Sequence, residues 1–264
     1  MRPSSLLATA LAASLLTLGA ITPRPALAGT PQEATAELAE QGRTLSLRAT
    51  KAYLMAQQGI TPDASRRILA DSIARMDQNI TTLHARKLDE PARGKLAELD
   101  RVWGSVRTQL SAPPSAEGAR SLYDGSDALE RAAHHLTIAL NANAPEASRR
   151  LVLPNRLRAL SQRIALFYLY RASSLMTPHA PEVELIYARG EFPANLSRAE
   201  KTGNLPADAQ QALAELSRTY PAYHASAGKL DAAPAMLKTA PAVMEMSEQI
   251  LVTTEKLVAS LLAQ

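Results

Sequence analysis

The sequence predicts an all-α protein of two tandem antiparallel four-helix bundles related by internal duplication, and three observations carry that expectation. The first is composition. Of 264 residues 46% are hydrophobic, yet only two are Phe, one is Trp and seven are Tyr. The apolar content is therefore mostly Ala and Leu, strong helix formers, while the residues that favour strands are scarce. The second is a repeat. Arg43-Thr-Leu45-Ser46-Leu-Arg48-Ala-Thr-Lys-Ala-Tyr53-Leu54 lies over Arg158-Ala-Leu160-Ser161-Gln-Arg163-Ile-Ala-Leu-Phe-Tyr168-Leu169 with six of twelve positions identical at an offset of 115. Three more blocks follow in the same order: Ala74, Arg75 and Asp77 against Ala188, Arg189 and Glu191; Glu98, Leu99, Arg101 and Trp103 against Glu215, Leu216, Arg218 and Tyr220; Ser126, Asp127, Leu129 and Leu136 against Ser247, Glu248, Ile250 and Leu257. Ordered self-similarity of this kind marks a duplicated structural unit. The third is a seam. Leu38, Gly42, Leu45, Ala49, Ala52, Ala56 and Gly59 alternate spacings of four and three, answered by Leu153, Leu157, Leu160, Ile164, Phe167, Arg171 and Ser174. That rhythm buries one stripe of a helix in a bundle.

Each element has a start and a stop. Residues 1–28 read as a cleavable signal peptide: Arg2, an uncharged run from Leu6 to Ile21, and an Ala26-Leu27-Ala28 cleavage site. The run is short for a membrane span and Pro23-Arg24-Pro25 follows it. The first unit, 29–144, holds helices over 31–58, 62–87, 91–111 and 116–142. Gly59 to Pro62, Glu90-Pro91 and Ala112 to Ser115 separate them, all turn or helix-start chemistry. The second unit, 145–264, holds helices over 146–176, 180–202, 207–229 and 235–263, broken at Thr177-Pro178, Gly203 to Pro206 and Ala232 to Pro234. Ala144-Pro145 marks the seam between the units.

Several function classes drop out. With no Cys there is no disulfide, thiolate chemistry or haem attachment. Without residues 1–28 the charge is near +2, from 27 basic and 25 acidic residues, which offers nothing to nucleic acid. No transmembrane-length run follows the signal, so the expected location is the periplasm. The histidines His84, His134, His135, His179 and His224 fit neither H-E-x-x-H nor E-x-x-H spacing. No nucleophile elbow or phosphate loop is present. The chain is read as a non-enzyme without metal or cofactor.

What remains is the repeated Arg-x-Leu-Ser-x-Arg. Residues five apart on a helix are rotated by about 140°, so Arg43 and Arg48 do not share a face, nor do Arg158 and Arg163. Arg48 and Arg163 border the buried seam. A second mixed strip, Arg43, Ser46, Thr50 and Tyr53, with its counterpart Arg158, Ser161, Ala165 and Tyr168, is expected to meet the other unit. If the two first helices meet, arginine approaches arginine. Either a small planar oxyanion lies between them, which the guanidinium fork suits, or each arginine pairs with a carboxylate of its own bundle or reaches solvent.

These residues carry a resemblance. Asn155-Arg-Leu-Arg158-Ala-Leu-Ser161-Gln162-Arg163-Ile-Ala resembles the G-R-Q-R-M-L-S-Q-R-M-A signature of the NarX/PilJ-like periplasmic sensor domain family, to which the N-terminal domain of the type IV pili methyl-accepting chemotaxis transducer belongs. Gln41-Gly42-Arg43-Thr-Leu45-Ser46-Leu-Arg48 is similar but departs at Leu47, and Asn155 stands where the signature has Gly. The resemblance implies a four-helix bundle whose first helix carries the ligand segment, and nitrate or nitrite held between two such helices. It assigns Arg43, Arg48, Arg158 and Arg163, with Ser46 and Ser161, to an anion site. It also implies a membrane receptor, kinase or transporter as partner, since no signalling domain follows. The competing reading is a helical protein–protein interaction module with no small-molecule ligand.

Overall fold

The structure is a computed structural model that describes residues 29–142 and 146–264. The expected signal peptide and the Ala144-Pro145 seam lie outside the described residues. All regular structure among those described is helical: α1 Pro31–Gln57, α2 Pro62–His84, α3 Glu90–Ser111, α4 Ala116–Asn141, a 3₁₀ turn Glu146–Leu151, α5 Val152–Ser173, α6 His179–Glu200, α7 Ala207–Ala227 and α8 Ala233–Leu262.

Local chemistry sets these bounds. Thr30 and Glu33 form a capping box at α1: the Glu33 N–H donates to Thr30 Oγ1, and Glu33 accepts from the Thr30 N–H. Asp89 and Ser115 cap α3 and α4 through the N–H groups of Ala92 and Gly118. Between α1 and α2 the backbone turns through Gly59 at φ +68°, a conformation that costs glycine little. The sequence predicts one helix over 146–176, whereas α5 starts at Val152 after the 3₁₀ turn. Pro154 has no N–H to give the Arg150 carbonyl, and sits in the first turn of α5, where no donor is required. At its other end Ser174 turns left-handed at φ 53° and stops α5.

Pro193, Pro221 and Pro241 remain inside α6, α7 and α8. The defect at Pro193 is repaired from the neighbouring helix: the Tyr220 hydroxyl donates to the Arg189 carbonyl at 2.9 Å, the acceptor that a residue-193 N–H would have served.

In the first half α1 lies against α2 and α4, and α3 packs on α4. In the second half α5 lies against α6 and α8, and α7 packs on α8. Apolar contact fills each half, with Leu45, Met76, Trp103, Leu122 and Leu136 in one and Ile164, Phe192, Leu216, Tyr223 and Val243 in the other. Each such side chain, fully buried, contributes about 1.5–3 kcal/mol. Matching polar anchors recur at corresponding positions. Tyr53 OH donates to the Pro113 carbonyl and accepts from the Ser115 N–H at the start of α4; Tyr168 OH donates to the Met236 carbonyl in the first turn of α8. Trp103 Nε1 ties α3 to α2 through Asp77, as Tyr220 ties α7 to α6.

The halves meet along α1 and α5, the encounter on which the arginine-to-arginine approach was conditional. Residue numbers rise together across this seam, Glu33 with Arg150, Glu37 with Asn155 and Arg158, Lys51 with Gln162, so the two helices run in the same general direction. Among the described residues no helix is long and apolar enough to cross a membrane.

Candidate functional site

The face that α1 turns to the other half is polar and buried. Glu37, Gln41, Thr44, Arg48 and Lys51 alternate spacings of four and three, one residue out of step with the apolar seam that begins at Leu38, and all but Arg48 fall in the buried class. Facing them on α5 are Asn155, Arg158 and Gln162, all buried, with Ser247, Glu248, Leu251 and Glu255 on α8 beside them.

Of the sequence strip Arg43, Ser46, Thr50 and Tyr53, the polar contacts of Arg43, Ser46 and Tyr53 fall within the first half, and Arg43 approaches the second only through Glu130, which it shares with Arg163. Arg43 pairs with Glu40 at 3.2 Å and with Glu130 of α4 at 3.3 Å, Ser46 Oγ donates to the Ser126 carbonyl of α4, and Tyr53 reaches the start of α4. These residues hold α1 to its own bundle. Helix phase explains the difference: the contact with α5 falls on the 37–51 stripe, which contains Arg48 and not Arg43.

Arg48 and Arg163 hold matching posts. Arg48 Nη2 pairs with Glu248 of α8 at 2.8 Å, while its Nη1 meets Asp71 of α2. Arg163 Nη1 pairs with Glu130 of α4 at 2.6 Å and its Nη2 with Glu184 of α6 at 2.7 Å. Each bridges the second helix of its own half to the last helix of the other. The Arg163 guanidinium also lies 5.1 Å from the Phe167 ring centroid, where Tyr123 of α4 meets Phe167 and Tyr170 edge-on. Ser161 Oγ donates to the Arg158 carbonyl at 2.7 Å, and its own carbonyl accepts from Tyr223 OH.

Arg158, 1% exposed, is held by Glu37 of α1 through Nη1 at 2.5 Å. Burial is the largest single influence and works against its charge, but Glu37, with Glu255 and Glu40 adding to it, together lift its pKa above the ordinary arginine value. Its Nε and Nη2 have no hydrogen-bond partner among the described residues, nor does Thr44 Oγ1. Both side chains line a narrow crevice together with Gln41, Leu45, Arg48, Arg75, Leu251 and Glu255. The crevice is nowhere wide enough for a water molecule. Three guanidiniums border it against one carboxylate, Glu255, which pairs with Arg75 at 2.9 Å. Buried donors left unmade cost about 1–3 kcal/mol each, so this edge of Arg158 is where an acceptor would gain most.

One turn further on, Lys51 is fully buried. Its ammonium donates to Gln162 Oε1 at 2.6 Å, Ser247 Oγ at 2.9 Å and Glu248 Oε1 at 2.6 Å. Burial lowers its pKa, an effect Glu248 only partly offsets. Burial also acts to raise Glu248, yet Lys51 and Arg48 together hold that carboxyl down at about 2. Glu40 goes the other way: burial lifts its pKa against the opposing pull of Arg43 and Arg158.

Of the six residues singled out in the sequence, Arg48 and Arg158 border the crevice, while Arg43, Ser46, Ser161 and Arg163 do not. Glu37, Thr44, Lys51 and Glu248 were missed. Polar residues at heptad spacing beside an apolar seam read as a solvated face, and only the conjunction of that spacing with a second bundle points to burial. Among the described residues no group of three or more His, Asp or Glu could hold a metal ion. The arrangement is a charged, buried helix seam with donors in excess at one crevice. Comparison with known protein families, curated proteins and solved structures finds no match to this chain.

Proposed function

We propose that this protein is a soluble periplasmic sensor-like binding protein, of the NarX/PilJ-like kind, that takes a small oxyanion such as nitrate or nitrite at the α1–α5 seam. It reports through a membrane signalling or transport partner. One observation carries the reading: the Nε and Nη2 of wholly buried Arg158, with Thr44 Oγ1, lack partners beside a crevice that Arg48 and Arg75 also border. The Leu160-Ser161-Gln162-Arg163 motif, the paired arginines and the matching Tyr53 and Tyr168 anchors support descent from a duplicated sensor unit. Since no water fits the crevice, a guest is admitted by movement of a side chain at its rim. Arg75 and Glu255, each about a quarter exposed, stand nearest to solvent there.

Isothermal titration with nitrate and with nitrite at fixed ionic strength tests this. Heat of binding in the wild type, lost in Arg158→Gln, is the expected result; no heat with either anion in the wild type rejects it.

A second reading has its own observation. Val183, Ile186 and Tyr187 form an exposed apolar strip on α6, each about half exposed, and the four motif arginines are all engaged by carboxylates. A helical interaction module would use that strip, and its partner binding would need no anion and survive Arg158→Gln.

A further inference from the structure

The chain places one of its own carboxylates against the guanidinium of Arg158. Glu37, 1% exposed, accepts from Arg158 Nη1 at 2.5 Å, Asn155 Nδ2 at 3.1 Å and Gln41 Nε2 at 3.1 Å. One guanidinium and two amide donors, converging from two helices on a planar two-oxygen anion, form the kind of donor set a small oxyanion requires. The set is only partly satisfied, because Nε and Nη2 of Arg158 stay unpaired on the remaining edge of the same guanidinium.

Resting on the oxyanion reading above, we propose that Glu37 is the built-in occupant of the anion site, and that a free anion binds by exchanging with it at Arg158. Two consequences set the ligand class. The group replaced is planar with a single negative charge, so planar monoanions (nitrate, nitrite, formate) exchange with it. A tetrahedral dianion such as sulfate brings a second charge into a buried site, where uncompensated charge is expensive. Because Glu37 stands on α1 and Arg158 on α5, the exchange cuts an ion pair that ties the two halves together. Occupancy thereby becomes a change at the seam.

The test compares wild type, Glu37→Gln and Glu37→Ala by calorimetric titration and thermal unfolding with sodium nitrate, formate and sulfate, ionic strength being held with gluconate. Glu37→Gln should bind nitrate and formate at least about tenfold more tightly than wild type, with no gain for sulfate. Glu37→Ala leaves Arg158 without its carboxylate and should melt lower. Nitrate or formate should then recover its Tm, and sulfate should not. Equal affinity in wild type and Glu37→Gln, or a Tm recovery that sulfate matches, overturns the proposal. If wild type binds, Arg158→Gln abolishes binding and Glu37→Gln leaves it unchanged, the occupant role falls while the oxyanion reading stands. Binding by Glu37→Gln alone supports the occupant and removes anion sensing by the native chain. No binding by any of them overturns both.

Discussion

Lys51 Nζ stands 2.6 Å from Glu248 Oε1 in the middle of the seam between the two halves, with the ammonium wholly buried. Arg48 shares the same carboxylate. A buried ion pair adds little net stability over an apolar pair of the same volume, yet breaking one by removing a single partner typically costs about 3–5 kcal/mol. This cluster therefore fixes how α1, α5 and α8 register more than it strengthens the fold.

That cluster gives the protein an acid limb. Glu248 has its folded pKa held down at about 2 from a reference of 4.5. Its contribution is fully present above the unfolded value and is lost as pH falls through the window from about 4.5 to about 2, a difference on the order of 3 kcal/mol. Gln resembles the protonated acid. Glu248→Gln should therefore be clearly less stable than wild type at pH 7, with the gap closing towards pH 2. Urea unfolding at pH 7, 4 and 2.5 measures it, and a gap independent of pH contradicts the assignment.

Gly118 in the first turn of α4 is a packing constraint. A Cβ there would lie 2.2 Å from Tyr53 OH and 3.1 Å from its Cζ. Alanine should gain about 1 kcal/mol of helix propensity, but overpacking against a ring anchored at both Pro113 and Ser115 costs about 1–3 kcal/mol. Gly118→Ala should be destabilising overall and less so in a Tyr53→Phe background. A double-mutant cycle by urea unfolding reads the coupling.

Tyr220 should matter because of Pro193. Tyr220→Phe keeps the ring stacked on Phe192 at 4.1 Å but orphans the Arg189 carbonyl, a loss of about 1 kcal/mol. With Pro193→Ala in the same chain, residue 193 regains its N–H and the hydroxyl becomes redundant. The cost of Tyr220→Phe should then shrink; an equal cost in both backgrounds refutes the repair.

The helices were legible in the sequence because their breakers are local: Gly59 to Pro62, Glu90-Pro91 and Ala112 to Ser115 mark boundaries that the backbone obeys. Where a helix end depended on one ring, as at Pro154, the expected start of α5 fell six residues early. The repeated motif made a meeting of α1 with α5 one possibility, and gave no sign of which residues would meet. The contact lies on Glu37 to Lys51, and nothing within α1 distinguishes a polar stripe facing solvent from one facing a second bundle. Burial of Lys51 depends on Gln162, Ser247 and Glu248, more than a hundred residues away in sequence. Of the arginine motif, residue type was informative and partner was not: Arg158 meets a carboxylate of the other half, Arg43 one of its own.

The most direct measurement is a crystal structure of the protein grown in saturating nitrate. A planar anion is expected between α1 and α5 within hydrogen-bond distance of Arg158 Nε or Nη2, with Glu37 no longer paired to Nη1. A closed crevice with the 2.5 Å Glu37–Arg158 pair intact, and nitrate absent or bound elsewhere, contradicts it.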